Sequence, residues 1–268
     1  MSYYDEIGKT DIIAYMRPQL ERGVFNLRDS DGKLFATANM AWNTPWHHIK
    51  HAFLDCQTWH RVIFDFIASQ LETPFVPSKC QNCWKVVVRP GTLEQLFALE
   101  RLQKQLDVPC KCGIEIRNTV HGLYGGYFYN YSFPEGLERY KQVREEVNQE
   151  PLLGPDIPVF LKRACTEFEH LCGDSKFWGI TPKQRELEAM VDRYVVSDDM
   201  QRRQPDHLVR HVHRKWIEYA FANGDATYKI YTDGKPLYPA YRTYHHLANK
   251  TDEEINQFWA EVLTGHTA

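Results

Sequence analysis

Residues 80–131 read CQNCWKVVVRPGTLEQLFALERLQKQLDVPCKCGIEIRNTVHGLYGGYFYNY, and the order of patterns in this stretch decides the fold. Trp84–Arg89 is a β-branched run of strand length, closed by the breaker Pro90-Gly91. Thr92 and Gln95 then stand three residues apart ahead of a leucine-rich run to Leu106, the signature of a capping box that opens a helix. Cys112–Asn118 and Tyr124–Tyr131 read as two further strands joined by a Gly-containing turn. Working outward, Ser132 with Glu135 caps a helix over Pro134 to Gln149, and Pro158–Arg163 reads as a fourth strand.

The order β-α-β-β-α-β predicts an α+β chain built around a ferredoxin-like unit. In that topology the first and second strands run parallel with the third between them, so both start at one edge of the sheet. Cys80-x-x-Cys83 precedes the first strand and Cys110-x-Cys112-Gly113 the second. The pairs are thus expected roughly two inter-strand spacings of about 4.8 Å apart. Four thiolates in that arrangement suit a tetrahedral Zn²⁺, which holds sulfur at about 2.3 Å. Cys80, Cys83, Cys110 and Cys112 are therefore the expected ligands of one structural zinc ion, the alternative being thiols without a metal.

Three regions follow from the composition along the chain. Residues 1–78 read as a helix at Asp11–Glu21, a hairpin of Val24–Arg28 and Lys33–Ala38 about Ser30-Asp31-Gly32, and two more helices. The first of these opens at Thr44-Pro45, and Ile63, Phe64, Ile67 and Leu71 continue an apolar stripe. Two prolines in Thr73-Pro-Phe-Val-Pro-Ser78 mark a boundary, followed by the zinc-stapled unit over 79–164 and a mainly helical region over 165–268. In the last region Thr166 with Glu169, Thr181-Pro182, Ser197, and Thr251 with Glu254 are helix-start signals. Thr227–Thr232 before Asp233-Gly234 reads as a short hairpin.

With 268 residues, 43% of them hydrophobic and 25% charged, the chain has material for a sizeable core. No run approaches the roughly 18 apolar residues of a membrane span, and Met1-Ser-Tyr-Tyr-Asp-Glu lacks the basic and apolar parts of a signal peptide. A cytoplasmic protein without a membrane partner is expected, in which seven cysteines stay reduced and clustered ones read as metal ligands. A net charge of −3 excludes a polyanion-binding surface over the whole protein and leaves only local patches.

Side chains alternate across a strand. Trp84, Val86, Val88, Ile114, Ile116, Phe128, Val159 and Leu161 make one apolar face, expected to pack on the two helices. The opposite face carries Lys85, Arg89, Glu115, Arg117, Tyr127, Tyr129, Tyr131, Phe160 and Lys162. Rings on the third strand among cations form a platform on which bases stack and phosphates find charge. Gly125-Gly126-Tyr127-Phe128-Tyr129-Asn130-Tyr131 resembles the Gly-aromatic run of RNA-recognition domains. Tyr124 replaces the initial basic residue, and the first strand offers Lys85 and Val87 in place of a ring. The alternative is that C-terminal helices cover this face. A second basic patch lies on a helix from Asp206 to Ala222, where His207, Arg210, His211 and Arg214 oppose the stripe Leu208, Val212, Trp216 and Tyr219.

The expected nucleic-acid contacts are Lys85, Arg89, Arg117, Tyr127, Tyr129, Tyr131, Lys162, Arg210 and Arg214. His207 with His211, and His47 with His51, have metal-compatible i, i+4 spacing without the adjacent Glu of zincins. Cys165 follows a strand and opens a helix, but no catalytic partner is assignable to it from sequence. Walker, dinucleotide, nucleophile-elbow and zinc-deaminase signatures are all absent. The leading expectation is a non-enzymatic zinc protein that binds single-stranded RNA or DNA or works within a nucleic-acid machine. A protein partner on the aromatic face is the second. An enzyme using Cys165, His121, Glu167 or the metal edge is the third. The build also resembles proteins of large tailed phages, a likeness that no motif carries.

Overall fold

The computed structural model describes residues 11–36, 45–50, 59–68, 74–196, 204–234, 237 and 247–264. The expected first hairpin forms as β1 (Phe25–Leu27) and β2 (Leu34–Ala36), antiparallel, with Gly32 in the left-handed region at φ +67°. The main sheet contains β3 (Trp46–Lys50), β4 (Trp84–Val88), β5 (Cys110–Ile114), β6 (Tyr124–Asn130) and β7 (Val159–Arg163), in the spatial order β3-β5-β6-β4-β7. Every neighbouring pair in it is antiparallel. The helices are α1 (Ile12–Tyr15), α2 (Arg17–Glu21), α3 (Ser78–Gln81), α4 (Leu93–Leu106), α5 (Phe133–Gln149), α6 (Thr166–Cys172), α7 (Pro182–Val191), α8 (Asp206–Ala222) and α9 (Asp252–Leu263). None is long and apolar enough to cross a membrane among the described residues.

Capping chemistry starts the helices where the sequence places it. Thr92 and Gln95 form a reciprocal capping box on α4, Thr251 and Glu254 another on α9, and Ser132 accepts from the Glu135 amide at the start of α5. The α4 and α5 helices join β4 to β5 and β6 to β7 and lie on the same face of the sheet. That face supplies Val86, Val88, Ile114 and Phe128 to one core with Leu96, Leu99, Val143 and Val147. Gly126 permits the close approach of α4, since a Cβ there would fall 2.4 Å from Leu99 Cδ2. The α8 helix extends this layer through Val212, Trp216 and Ala220, and the Trp216 indole N–H donates to the Pro45 carbonyl at 2.9 Å.

Three expectations are corrected. Thr44-Pro45 precedes an edge strand, β3, and not a helix, because the chain after Pro45 pairs with β5 from Trp46 to Lys50. Residues 226–231 are a 3₁₀ helix and not a hairpin. Asp225 caps it by accepting from the Thr227 amide and hydroxyl, and Tyr231 packs on Phe97 of α4 with ring centroids 4.4 Å apart. Ile116 is exposed, since β5 ends at Ile114. Of the C-terminal region, α8 lies on the face already occupied by α4, whereas α6 reaches the Tyr127 face, where Cys165 meets Lys85 and Glu167 lies beside Arg117. Ser197, His51 and Leu71 lie outside the described residues.

Two smaller cores lie apart from the main one. Ile12, Met16, Phe25, Trp59, Ile63 and Ile67 pack with Leu187, Val191 and Val195, so α7 joins the N-terminal region. Phe64, Ala68, Val76 and Cys80 pack with Ala164 and Phe168. The N-terminus of α6 meanwhile crosses toward the far side of the sheet, where Glu167 lies 3.8 Å from Arg117.

Candidate metal centre and the opposite sheet face

The helix-covered side holds the one cluster of three or more His, Cys, Asp or Glu side chains with metal-ligand proximity among the described residues: His47, Glu100 and His213, whose ligand atoms all lie within 4.8 Å of one another. β3 presents His47 opposite Cys112, on the side that faces α4. Glu100 interrupts the apolar stripe of α4, and His213 lies one turn before Trp216 on α8. Glu100 Oε1 accepts from His47 Nδ1 and, at 2.6 Å, from His213 Nε2. Lys104, one turn along α4, reaches Oε2 at 3.2 Å. Burial by itself would raise the Glu100 carboxyl, but the two imidazoles outweigh it and hold the group well below the usual carboxylate range. Phe97 and Trp216 wall the His213 ring, at centroid distances of 5.1 and 5.0 Å.

The four cysteines do not converge. Cys110 and Cys112 belong to the strand itself and alternate onto the same helix-covered core, whereas Cys80 points into the small core with Phe64 and Phe168. Cys83 is half-buried. Burial pushes the Cys110 thiol up to about 12 and the Cys112 thiol well above its ordinary value, the latter aided by Glu100. Both are therefore neutral thiols packed as small apolar groups. β4 and β5 run parallel with β6 between them, as expected, but Cys110 and Cys112 lie within β5 and not ahead of it.

On the opposite face the expected platform is an ion-pair network. Tyr127 is buried, with its hydroxyl donating to Glu115 Oε2 at 3.0 Å. Arg117 binds the same carboxylate in bidentate fashion at 2.8 and 2.7 Å, and Arg89 lies 3.6 Å from it. Lys111 sits over both Trp46 and Tyr127, at 4.6 and 5.7 Å from the ring centroids. Tyr129 is half-buried beside Lys85, Lys162 donates to the Thr166 hydroxyl at 2.7 Å, and Tyr131 is exposed. Arg210 and Arg214 are exposed on α8, with Arg214 3.1 Å from Glu218, and the expected pair His207 and His211 does not join the metal cluster. His121 is exposed in a turn.

Sequence reasoning missed Glu100 and His213. The available signal was the acidic residue itself: Glu100 falls on the stripe shared by Leu93, Leu96 and Gln103, a position where an unpaired carboxylate is too costly to bury. Comparison of the chain with known protein families, with curated proteins and with solved structures found no match.

Proposed function

We propose that this is a metal-binding protein that holds one divalent ion of the zinc type on His47 Nδ1, Glu100 Oε1 and His213 Nε2. The observation that carries the reading is the convergence of these three atoms on one point between β3, α4 and α8. Two imidazoles and one carboxylate suit Zn²⁺ or a neighbouring first-row ion, whereas Ca²⁺ and Mg²⁺ select oxygen alone. His47 and Glu100 are almost wholly enclosed, while the His213 side chain keeps 26% of its surface exposed, so the fourth position opens beside His213. Three protein ligands with one open position allow the ion to bind an exogenous oxygen or nitrogen ligand. Elemental analysis and calorimetric titration test the reading. The parent should carry about one ion per chain, lost in His213→Ala and Glu100→Gln and kept in Cys83→Ser. A parent that binds no divalent transition ion overturns it, and loss in Cys83→Ser with retention in His213→Ala returns the ion to the cysteines.

The order β5-β6-β4-β7, with α4 and α5 on one face, supports a ferredoxin-like reading of 79–164, extended at one edge by β3. Single-stranded RNA or DNA remains the second reading of the partner. It is favoured by the exposed Arg101 and Lys104 on α4 and Arg210 and Arg214 on α8, the two helices that carry Glu100 and His213. Phosphates would then lie over α4 and α8 and not on the tyrosine face. Fluorescence anisotropy with short oligonucleotides over a salt series decides it. Affinity that falls steeply with salt, with a shallower slope in Arg210→Ala, supports phosphate contact. No binding at low salt removes it.

A further inference from the structure

The far face of the sheet carries a second cluster that the metal reading does not use. Lys85 rises from β4 with only 7% of its surface exposed, and its Nζ lies 2.8 Å from Cys165 Sγ. A buried ammonium needs an anionic partner. Around it are the Tyr129 ring, 5.5 Å from Nζ, the thiol of Cys83, the like-charged Lys162 and Glu167 of α6, while Glu169 acts on Lys162. Glu167 is itself shared with Arg117 and His60. Cys165 is the side chain within hydrogen-bond distance of the ammonium among the described residues. Burial alone would depress the Lys85 ammonium, yet the sulfurs of Cys165 and Cys83 and the Tyr129 hydroxyl outweigh it and hold the group well above its ordinary value.

The backbone fixes this contact. The Ala164 amide donates to the Cys83 carbonyl at 2.7 Å, which continues the pairing of β4 with β7 by one residue. Ala164 then adopts φ +50°, a conformation L residues rarely take, and turns the chain so that Cys165 meets Lys85. Cys83 lies two residues before Lys85 and shares its face by alternation. Both cysteines are half-buried.

We propose that Cys165 is a nucleophilic thiolate held by the Lys85 ammonium, and that with Cys83 it forms a redox-active dithiol toward small hydroperoxides. In the first step the Cys165 sulfur attacks the peroxide: an S–O bond forms, the O–O bond breaks and hydroxide or alkoxide leaves. Sulfur is oxidised to a sulfenic acid and the peroxide is reduced. In the second step the Cys83 thiol condenses with the sulfenic acid, the S–S bond forms and water leaves.

Carbamidomethylation of the full chain by iodoacetamide, read by peptide mass spectrometry from pH 6 to pH 8, tests the first half, with Cys172 as the internal reference. Cys165 labelling should change by less than about threefold, whereas an ordinary thiol of pKa near 8.5 changes by roughly fifty- to a hundredfold. Lys85→Met should restore the ordinary profile. If that variant fails to fold, the parent's contrast between Cys165 and Cys172 decides alone. Parallel profiles for the two cysteines overturn the thiolate. Hydrogen peroxide should then yield a Cys83–Cys165 linked peptide in the parent and a dimedone-trapped sulfenic acid in Cys83→Ser. Absence of the linked peptide in the parent overturns the dithiol. The two clusters lie on opposite faces, so His213→Ala should leave every one of these readouts unchanged.

Discussion

Glu115 has a side chain with no exposed surface, and its burial is supported by Arg117, Arg89 and the Tyr127 hydroxyl. Burial alone would raise the carboxyl from its ordinary 4.5, but the Arg117 guanidinium outweighs it and the net shift is downward. A lowered folded value means that this contribution to stability is complete above about pH 4.5 and is lost as the pH falls below it. Glu115→Gln should therefore destabilise the fold by about 3 kcal/mol at pH 7, because it leaves two guanidinium groups facing a neutral amide. Urea denaturation of both proteins at pH 7 and below pH 4 checks this: the gap should narrow in acid, and a gap independent of pH would remove Glu115 as its source. Alternation placed Glu115, Arg117 and Tyr127 on one face from sequence alone. Their mutual pairing was not legible, since alternation gives the face and not the partner across β5 and β6. The same limit explains the cysteines, whose short spacing reads equally well as a metal knuckle or as two inward positions of a strand.

At the scale of elements, β3 decides the metal centre and is also the element whose type was misread. Thr-Pro followed by an apolar residue starts helices, but proline is equally tolerated at the first residue of an edge strand. Only the pairing with β5, more than sixty residues away, separates the two, and no local signal carries it. The elements between β4 and β7 were legible because capping boxes, breakers and strand-length runs agree there. Gly113 is the residue that lets β3 dock: a Cβ at this position would stand 2.2 Å from the Pro45 carbonyl oxygen and 3.0 Å from Trp46 Cα, both backbone atoms. Gly113→Ala should therefore shift β3, carry His47 away from Glu100 and lower the affinity for the ion by about 10- to 100-fold, the range for a displaced supporting contact. The overpacking itself should cost about 1–3 kcal/mol. Titration calorimetry alongside thermal melting reads both quantities, and unchanged metal affinity would show that β3 does not position the site.

At the scale of the molecule, the main sheet has one face closed by α4, α5 and α8 and the other lined by paired charges, rings and the Lys85–Cys165 contact. The three proposed ligands come from β3, α4 and α8, which lie far apart in the chain and meet at one end of the helical layer. An ion bound there ties together three elements distant in sequence, and a ligand that binds only the native state stabilises it by mass action. At a free ion concentration of a hundred times Kd the gain is about 2.7 kcal/mol. For a chain of this size each kcal/mol moves Tm by roughly 2–4 °C, so zinc addition should raise the melting temperature by about 5–10 °C. The same ion added to His213→Ala should raise it by less than about 2 °C, because a two-ligand remnant binds far more weakly. Differential scanning calorimetry with and without chelator measures the difference directly. Equal shifts in the parent and in His213→Ala would place the stabilising ion elsewhere on the chain, and no shift in either would leave His47, Glu100 and His213 as a hydrogen-bonded clip between β3 and its two helices.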